Sequence, residues 1–166
     1  MKRLEYRMYG LVPYNISPIQ QGIQFGHGVV EYGLLSKPEG DESFLDWAKN
    51  DKTFIILNGG TTNFGIKGRA EGTLNQHAKT LKSMGVKTAK FHEPDLGDQL
   101  TAVVFLVDER VWDEEKYPSP ERFPLFDILT EQQVVDMNDR NRVAISRMGG
   151  EGIWELRQFI KQFRLA

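Results

Sequence analysis

The stretch "ISPIQQGIQFGHGVVEYG", Ile16 to Gly33, contains a helix start and four glycines. Ser17 is a favourable N-cap residue, and Pro18 fits the first position of a helix. Gln20 follows the serine by three residues, which completes a capping-box pattern. The sequence therefore predicts a helix that begins at Pro18.

Along this helix, one set of residues recurs at helical spacing and predicts the buried face: Ile19, Ile23, Gly26, Val30 and Leu34. A second, polar set falls on the adjacent stripe: Gln20, Gln24, His27 and Glu31. Each interior glycine costs about 1 kcal/mol relative to alanine in a helix. We therefore expect another backbone or a ligand to approach the helix closely at some of these glycines.

On either side of this helix, apolar runs and turn residues alternate. We expect strands at Leu4 to Val12, Lys52 to Leu57, "VKTAKFHEP" and "LTAVVFLVD". Further helices are expected at Ser43 to Asn50 and at "TLNQHAKTLKSMG", where Leu74, Ala78, Leu81 and Met84 form one face and Gly85 ends the helix. This order of elements predicts an α/β layered domain with a mixed sheet.

The character of the sequence changes at Trp112, where an acidic, proline-bearing segment precedes a basic one. We expect a helix or a strand near Gln132 to Met148, and a final helix from Gly152 to Leu165. In that final helix, Ile153, Leu156, Ile160 and Phe163 are expected to face the core, with Trp154, Arg157, Lys161 and Arg164 as a basic stripe. The predicted division is a domain over residues 1–111 and an extension over 112–166.

The composition excludes several classes of site. The 166 residues include no cysteine and three scattered histidines, so we expect no disulfide, no metal site and no cofactor. No apolar run approaches the roughly 18 residues of a membrane span, and the N-terminus lacks the apolar core of a signal peptide. These features favour a cytoplasmic location. The net charge of −2 argues against nucleic-acid binding by the whole surface but allows a local basic patch.

Five segments occur in an order that resembles a known family: "GIQFGHGVVEY", Trp47, "TFIIL", "HAKTLKSMGV" and "EPDLGDQLTAVV". The set resembles the type 2 peptidyl-tRNA hydrolases, especially their small phage-type members, over Tyr6 to Val107. The resemblance implies a four-stranded mixed sheet between helices, hence a three-layer α/β fold with a C-terminal extension. It also implies hydrolysis of the ester between a peptide and tRNA, in the host cytoplasm if the chain is phage-encoded. Family members usually carry lysine at the start of the first helix, where this chain has "NISPIQQ".

The resemblance implies a catalytic set of His27, Gln24, Asp95 and Thr101. Each has a structural alternative: a half-buried histidine bonded to backbone, a turn aspartate, or a hydroxyl bonded to a local amide. The candidate substrate-binding residues are Asn15, Gln20, Asp98, Lys67 and Arg69. Lys67 and Arg69, together with Lys79, Lys82, Lys87 and Lys90, could form a patch for the tRNA backbone or a solvated surface.

Two hypotheses follow. The first is hydrolysis of peptidyl-tRNA or of an N-blocked aminoacyl-tRNA, with water as the nucleophile and no cofactor. The second is a catalytically inactive protein of the same fold that binds RNA or a protein. A homodimer or a protein partner is also considered, through the C-terminal extension. The two hypotheses differ in whether Gln24, His27, Asp95 and Thr101 converge in one open pocket.

Overall fold

A computed structural model describes residues 2–62, 71–122 and 129–166 of the chain. It divides into two compact units. The first comprises Met1–Asp108 together with Lys161–Ala166, and the second comprises Glu109–Ile160. The final six residues therefore belong with the first unit.

The first unit is built on one four-stranded mixed sheet in the order β2-β1-β4-β3. Its strands are β1 (Tyr6–Val12), β2 (Thr53–Asn58), β3 (Thr88–Glu93) and β4 (Gln99–Asp108). β1 pairs in parallel with β2 and antiparallel with β4, and β3 pairs antiparallel with β4. The α/β fold with a four-stranded mixed sheet is thereby confirmed.

Helices cover both faces of this sheet. On one face lie α1 (Pro18–Glu39) and α2 (Glu42–Asn50), which contribute Phe25, Tyr32 and Trp47 to the core. On the other face lies α3 (Thr73–Ser83), whose Leu74, Ala78 and Leu81 are buried as predicted. The alternation of strand side chains separates the two cores, since successive residues point to opposite faces.

The start of α1 follows the prediction. The Ser17 hydroxyl accepts a hydrogen bond from the Gln20 backbone amide, and the Gln20 side chain accepts one from the Ser17 amide. Pro18 occupies the first helical position, where no backbone donor is needed. The capping box is therefore formed by local sequence alone.

The predicted buried face of α1 is wrong. Ile19, Ile23, Val30 and Leu34 are exposed, and a Cβ on Gly26 would meet no atom within 4 Å. The buried face instead carries Phe25, Tyr32 and Gly28, together with Gln24 from the adjacent stripe. Gly28 lies directly against β4, because a Cβ there would be 2.4 Å from a methyl group of Val104.

The far edge of β2 is covered by the end of the chain. The Asn58 amide donates to the Arg164 carbonyl at 2.9 Å, and the Ala166 amide donates to the Ile56 carbonyl at 3.0 Å. This pairing blocks an edge that would otherwise be open to another strand. The predicted final helix therefore stops earlier than expected, and its last residues are extended.

The second unit contains α4 (Glu109–Trp112), α5 (Glu131–Met148) and most of α6 (Glu151–Lys161). The segment near Gln132 to Met148 is thus a helix. Arg157 was expected on a basic stripe, and that expectation is wrong because its side chain is 1% exposed. Its guanidinium donates to the carbonyls of Arg110, Val111 and Tyr117 and to the Ser119 hydroxyl.

Candidate functional site

The most buried part of the candidate site is a contact between Gln24 on α1 and Thr101 on β4. The Thr101 hydroxyl donates to Gln24 Oε1 at 2.5 Å, and both side chains are buried. Ala102 and Val104 face α1, so regular alternation would turn Thr101 away from α1. The pairing of β3 with β4 shifts at this point, with Phe91 opposite Ala102 and His92 opposite Leu100. Thr101 is the extra residue of a β-bulge, which directs its side chain toward α1.

Gln24 also holds a carboxylate. Its amide Nε2 donates to Glu93 Oε2 at 2.6 Å, so both ends of the Gln24 side chain have partners. Glu93 is the last residue of β3 and is half-buried. Its other oxygen accepts from the Asp95 amide at 3.4 Å. The carboxylate is thereby fixed between α1 and the turn that follows β3.

Glu93 was not among the residues predicted from the sequence. In the local sequence, only the proline that follows points to Glu93. Pro94 favours an extended conformation at position 93, so the strand is expected to reach Glu93 and to end there. The contact with Gln24 joins residues 69 positions apart. No periodicity within either element predicts it.

His27 lies one helical turn after Gln24 and is exposed. Its ring stacks on Phe91 of β3, with centroids 4.5 Å apart and planes 19° apart. The stacking fixes one face of the imidazole against the protein. The rest of the ring is exposed and can contact a ligand.

Asp95 and Asp98 lie in the turn between β3 and β4, and both are exposed. Asp95 belongs to a single 3-10 turn at Pro94–Leu96. Asp98 has a left-handed backbone with φ of 57°, and its amide donates to the Glu93 carbonyl at 3.0 Å. The backbone of Asp98 thus shapes the turn, while the Asp95 carboxylate is accessible.

The remaining candidates are dispersed. Gln20 is engaged in the capping box, Asn15 is exposed just before α1, and Lys67 and Arg69 lie outside the described residues. Two lysines of the expected basic patch pair with carboxylates: Lys79 with Glu71 at 2.7 Å and Lys87 with Asp41 at 3.1 Å. Lys82 and Lys90 are exposed.

The α1–β3 site is defined here by Gln24, His27, Phe91 and Glu93. Gln24 lies about one helical turn before His27, and Glu93 lies two positions after Phe91. Along the two elements, His27 and Glu93 are therefore offset by about 5–7 Å. An imidazole and a carboxylate at this offset can flank one water molecule or one polar ligand atom.

The four predicted catalytic residues do not reach a common surface. Gln24 and Thr101 are buried and bonded to each other, while His27 and Asp95 are exposed. Gln24 and Thr101 therefore position other groups and are shielded from a substrate. The groups that can meet a ligand are His27, Glu93 and Asp95.

The sequence matches no protein-family model and no curated protein. Within residues 2–62, 71–122 and 129–166, no cluster of three histidine or carboxylate side chains is arranged to hold a metal ion. None of the helices in that part of the chain combines the length and the apolar character that a membrane crossing requires.

Proposed function

We propose that this chain hydrolyses the ester bond that joins a peptide, or an N-blocked amino acid, to tRNA. One observation carries the proposal: Gln24 fixes the Glu93 carboxylate beside the helix turn that bears the exposed His27. The four-stranded mixed sheet between helices, which the family resemblance implied, supports it further. Asp95 supplies a second accessible carboxylate at the same end of β3.

In this proposal, His27 is the general base. Its imidazole removes a proton from water, the water oxygen adds to the ester carbonyl, and the ribose hydroxyl leaves with a proton. Glu93 and Asp95 orient the water or the amide N–H groups of the peptide. Because these carboxylates would repel phosphate, the RNA backbone contacts cations elsewhere, and Lys82 and Lys90 of the expected basic patch are exposed candidates.

The test is release of labelled N-acetyl amino acid from N-acetyl-aminoacyl-tRNA. We expect His27→Ala to lower kcat/KM about 100-fold or more, as a positioned general base contributes 10²–10⁴-fold. Asp95→Asn and Glu93→Gln are expected to lower it as well. His92→Ala is the matched control for His27→Ala, because His92 is an exposed histidine on β3, next to Glu93. Loss of activity in this control, or no effect of His27→Ala, would contradict the assigned role.

A second candidate function is RNA or protein binding without catalysis. It is favoured by the burial of Gln24 and Thr101, which bond to each other and leave half of the predicted catalytic set shielded. Absence of turnover by folded wild type at micromolar enzyme would reject the hydrolase. Salt-dependent tRNA binding that weakens in Lys82→Glu and Lys90→Glu would then support the RNA-binding function.

A further inference from the structure

The side of α1 that faces away from the sheet is apolar from Ile19 to Leu34, and Lys37 follows on the same side in the last turn. Ile19 is 77% exposed, Ile23 51%, Val30 61% and Leu34 60%. Helical spacing places Gly22, Gly26 and Val29 on the same side. These positions carry no charge, while the polar residues Gln20, His27 and Glu31 lie along one border. We call this surface the apolar face of α1.

A groove lies next to this face. It has a volume of about 420 Å³ and is lined by Gly22, Phe25, Gly26, Val29, Phe54 and Ile56. Phe54, on β2, is 53% exposed. The groove and the apolar face of α1 share two glycines, at each of which a Cβ would meet no atom within 4 Å. A neighbouring helix could therefore approach the α1 backbone closely at these positions.

The area of this surface is near that of one side of a dimer interface. An aromatic side chain presents roughly 150–250 Å² when fully exposed, and an aliphatic one presents less. Scaled by their exposed fractions, Ile19, Ile23, Val30, Leu34 and Phe54 together expose up to about 600 Å², against about 800 Å² per partner in a standard interface. The two open glycines and the polar border can supply the rest. A patch of this size is also at the upper end of what a monomer normally exposes.

The order of large and small residues makes the face complementary to itself. In an antiparallel pair of α1 helices centred on Gly26, position 22 meets position 30 and position 23 meets position 29. Gly22 then faces Val30, Ile23 faces Val29, and Gly26 faces its own copy. The open glycines near the centre allow the two backbones to approach closely, and apolar side chains meet on either side of the crossing point. A two-fold contact needs this kind of self-complementarity.

We infer that the apolar face of α1 binds the same face of a second copy of this chain, with the two helices antiparallel and crossing at Gly26. Because no charged residue lies on this face between Ile19 and Leu34, the face suits an apolar surface of another copy better than a charged peptide or nucleic acid. His27 and Glu31 lie at the rim of the contact, so the second copy forms one wall beside the exposed imidazole.

Sedimentation equilibrium of the full chain measures this association. We expect a dimer in wild type, a dissociation constant raised about tenfold in Gly26→Ala, and one raised about 100-fold in Val30→Glu, where two carboxylates would meet an apolar surface. The matched controls are Gly152→Ala, an open helical glycine of α6, and Val135→Glu, a half-exposed valine of α5. Neither control is expected to change the constant.

Gly26→Cys tests the crossing point itself. The chain has no cysteine, so an introduced thiol pairs only with its own copy. A disulfide requires Cα atoms about 4.4–6.8 Å apart, which a close crossing at position 26 provides. We expect rapid disulfide dimers in Gly26→Cys and not in Gly152→Cys.

Two results would overturn the inference. One is a wild-type monomer at about 0.5 mM, well above the micromolar range of ordinary dimers. The other is a wild-type dimer that neither Gly26→Ala nor Val30→Glu weakens, which would place the interface on another surface.

Discussion

Alanine at two neighbouring glycines of α1 is expected to change stability in opposite directions. Gly26 faces open space, and Gly28 faces β4. The two positions share one helix, one residue type and one substitution, so the intrinsic gain in helix propensity is the same for both. That gain is about 0.8–1 kcal/mol. Any difference between the variants then reports the packing at each position.

The structure gives the size of the difference. A Cβ at position 28 would lie 2.4 Å from Val104 Cγ2 and 3.2 Å from Ala102 Cβ, so the helix or the strand must shift. Overpacking of this kind costs about 1–3 kcal/mol, which exceeds the propensity gain. We expect Gly26→Ala to raise the free energy of unfolding by about 1 kcal/mol and Gly28→Ala to lower it by up to about 2 kcal/mol.

The assay is guanidinium unfolding monitored by helical circular dichroism, at about 1 µM protein so that self-association contributes little. Thermal unfolding provides a second measure, since 1 kcal/mol corresponds to roughly 2–4 °C for a domain of this size. Val104→Ala removes the methyl group that position 28 would meet. In that background, Gly28→Ala is expected to become neutral or stabilising.

Equal stabilisation by the two alanines would refute the reasoning, because it would mean that α1 does not lie against β4 at Gly28. Destabilisation by Gly26→Ala at low protein concentration would refute the prediction for Gly26, because it would mean that the space beside Gly26 is occupied by atoms of the same copy.

Three further predictions concern stability. Thr101→Val leaves Gln24 Oε1 without its buried donor, so we expect urea unfolding to show a free energy of unfolding lowered by about 1–3 kcal/mol. Thr101→Ser keeps the hydroxyl and should be much less affected. Arg157→Met removes a charged donor from three backbone carbonyls and should lower the free energy of unfolding by at least about 3 kcal/mol. In thermal unfolding, Arg157→Lys should also be destabilised, since one ammonium cannot match the geometry of the guanidinium. Burial lowers the pKa of the His77 imidazole, so the unfolded chain takes up the proton more readily. Stability should then fall as the pH drops below about 6.5, and denaturation midpoints between pH 7 and 5 should vary less in His77→Gln than in His92→Gln.

The start of α1 could be predicted because its determinants are local. Ser17, Pro18 and Gln20 lie within four residues, and their bonds need no other part of the chain. The buried face of α3 was also predictable, since Leu74, Ala78 and Leu81 form its single apolar stripe.

The buried face of α1 could not be predicted by periodicity alone. The helix has two apolar sides, one with Ile19, Ile23 and Val30 and another with Phe25 and Tyr32. Spacing shows that each is a stripe but does not show which one meets the sheet. Packing against β4 determines which side is buried, because the side of α1 that carries Gly28 fits against the small residues Ala102 and Val104.

The inner contacts of the candidate site depend on strand register in the same way. Alternation along β4 assigns Thr101 to the face opposite α1, and the bulge that reverses this assignment arises from pairing with β3. Arg157 presents the same problem in the second unit. Arginine is seldom buried, and its backbone partners lie 40 or more residues earlier in the chain.

The close packing of α1 on β4 also sets the position of the proposed catalytic groups. Gln24 lies one turn before Gly28 on the same side of the helix, so the approach at Gly28 determines where the Gln24 amide meets Thr101. A displacement of about 1 Å would take their 2.5 Å hydrogen bond beyond normal length and would release the Glu93 carboxylate. Gly28→Ala should therefore lower kcat/KM of the folded fraction, although residue 28 meets no substrate, whereas Gly26→Ala should not do so at concentrations where the chain is monomeric. If Gly28→Ala unfolded more easily but its folded fraction kept full activity, the position of Glu93 would have no part in the reaction.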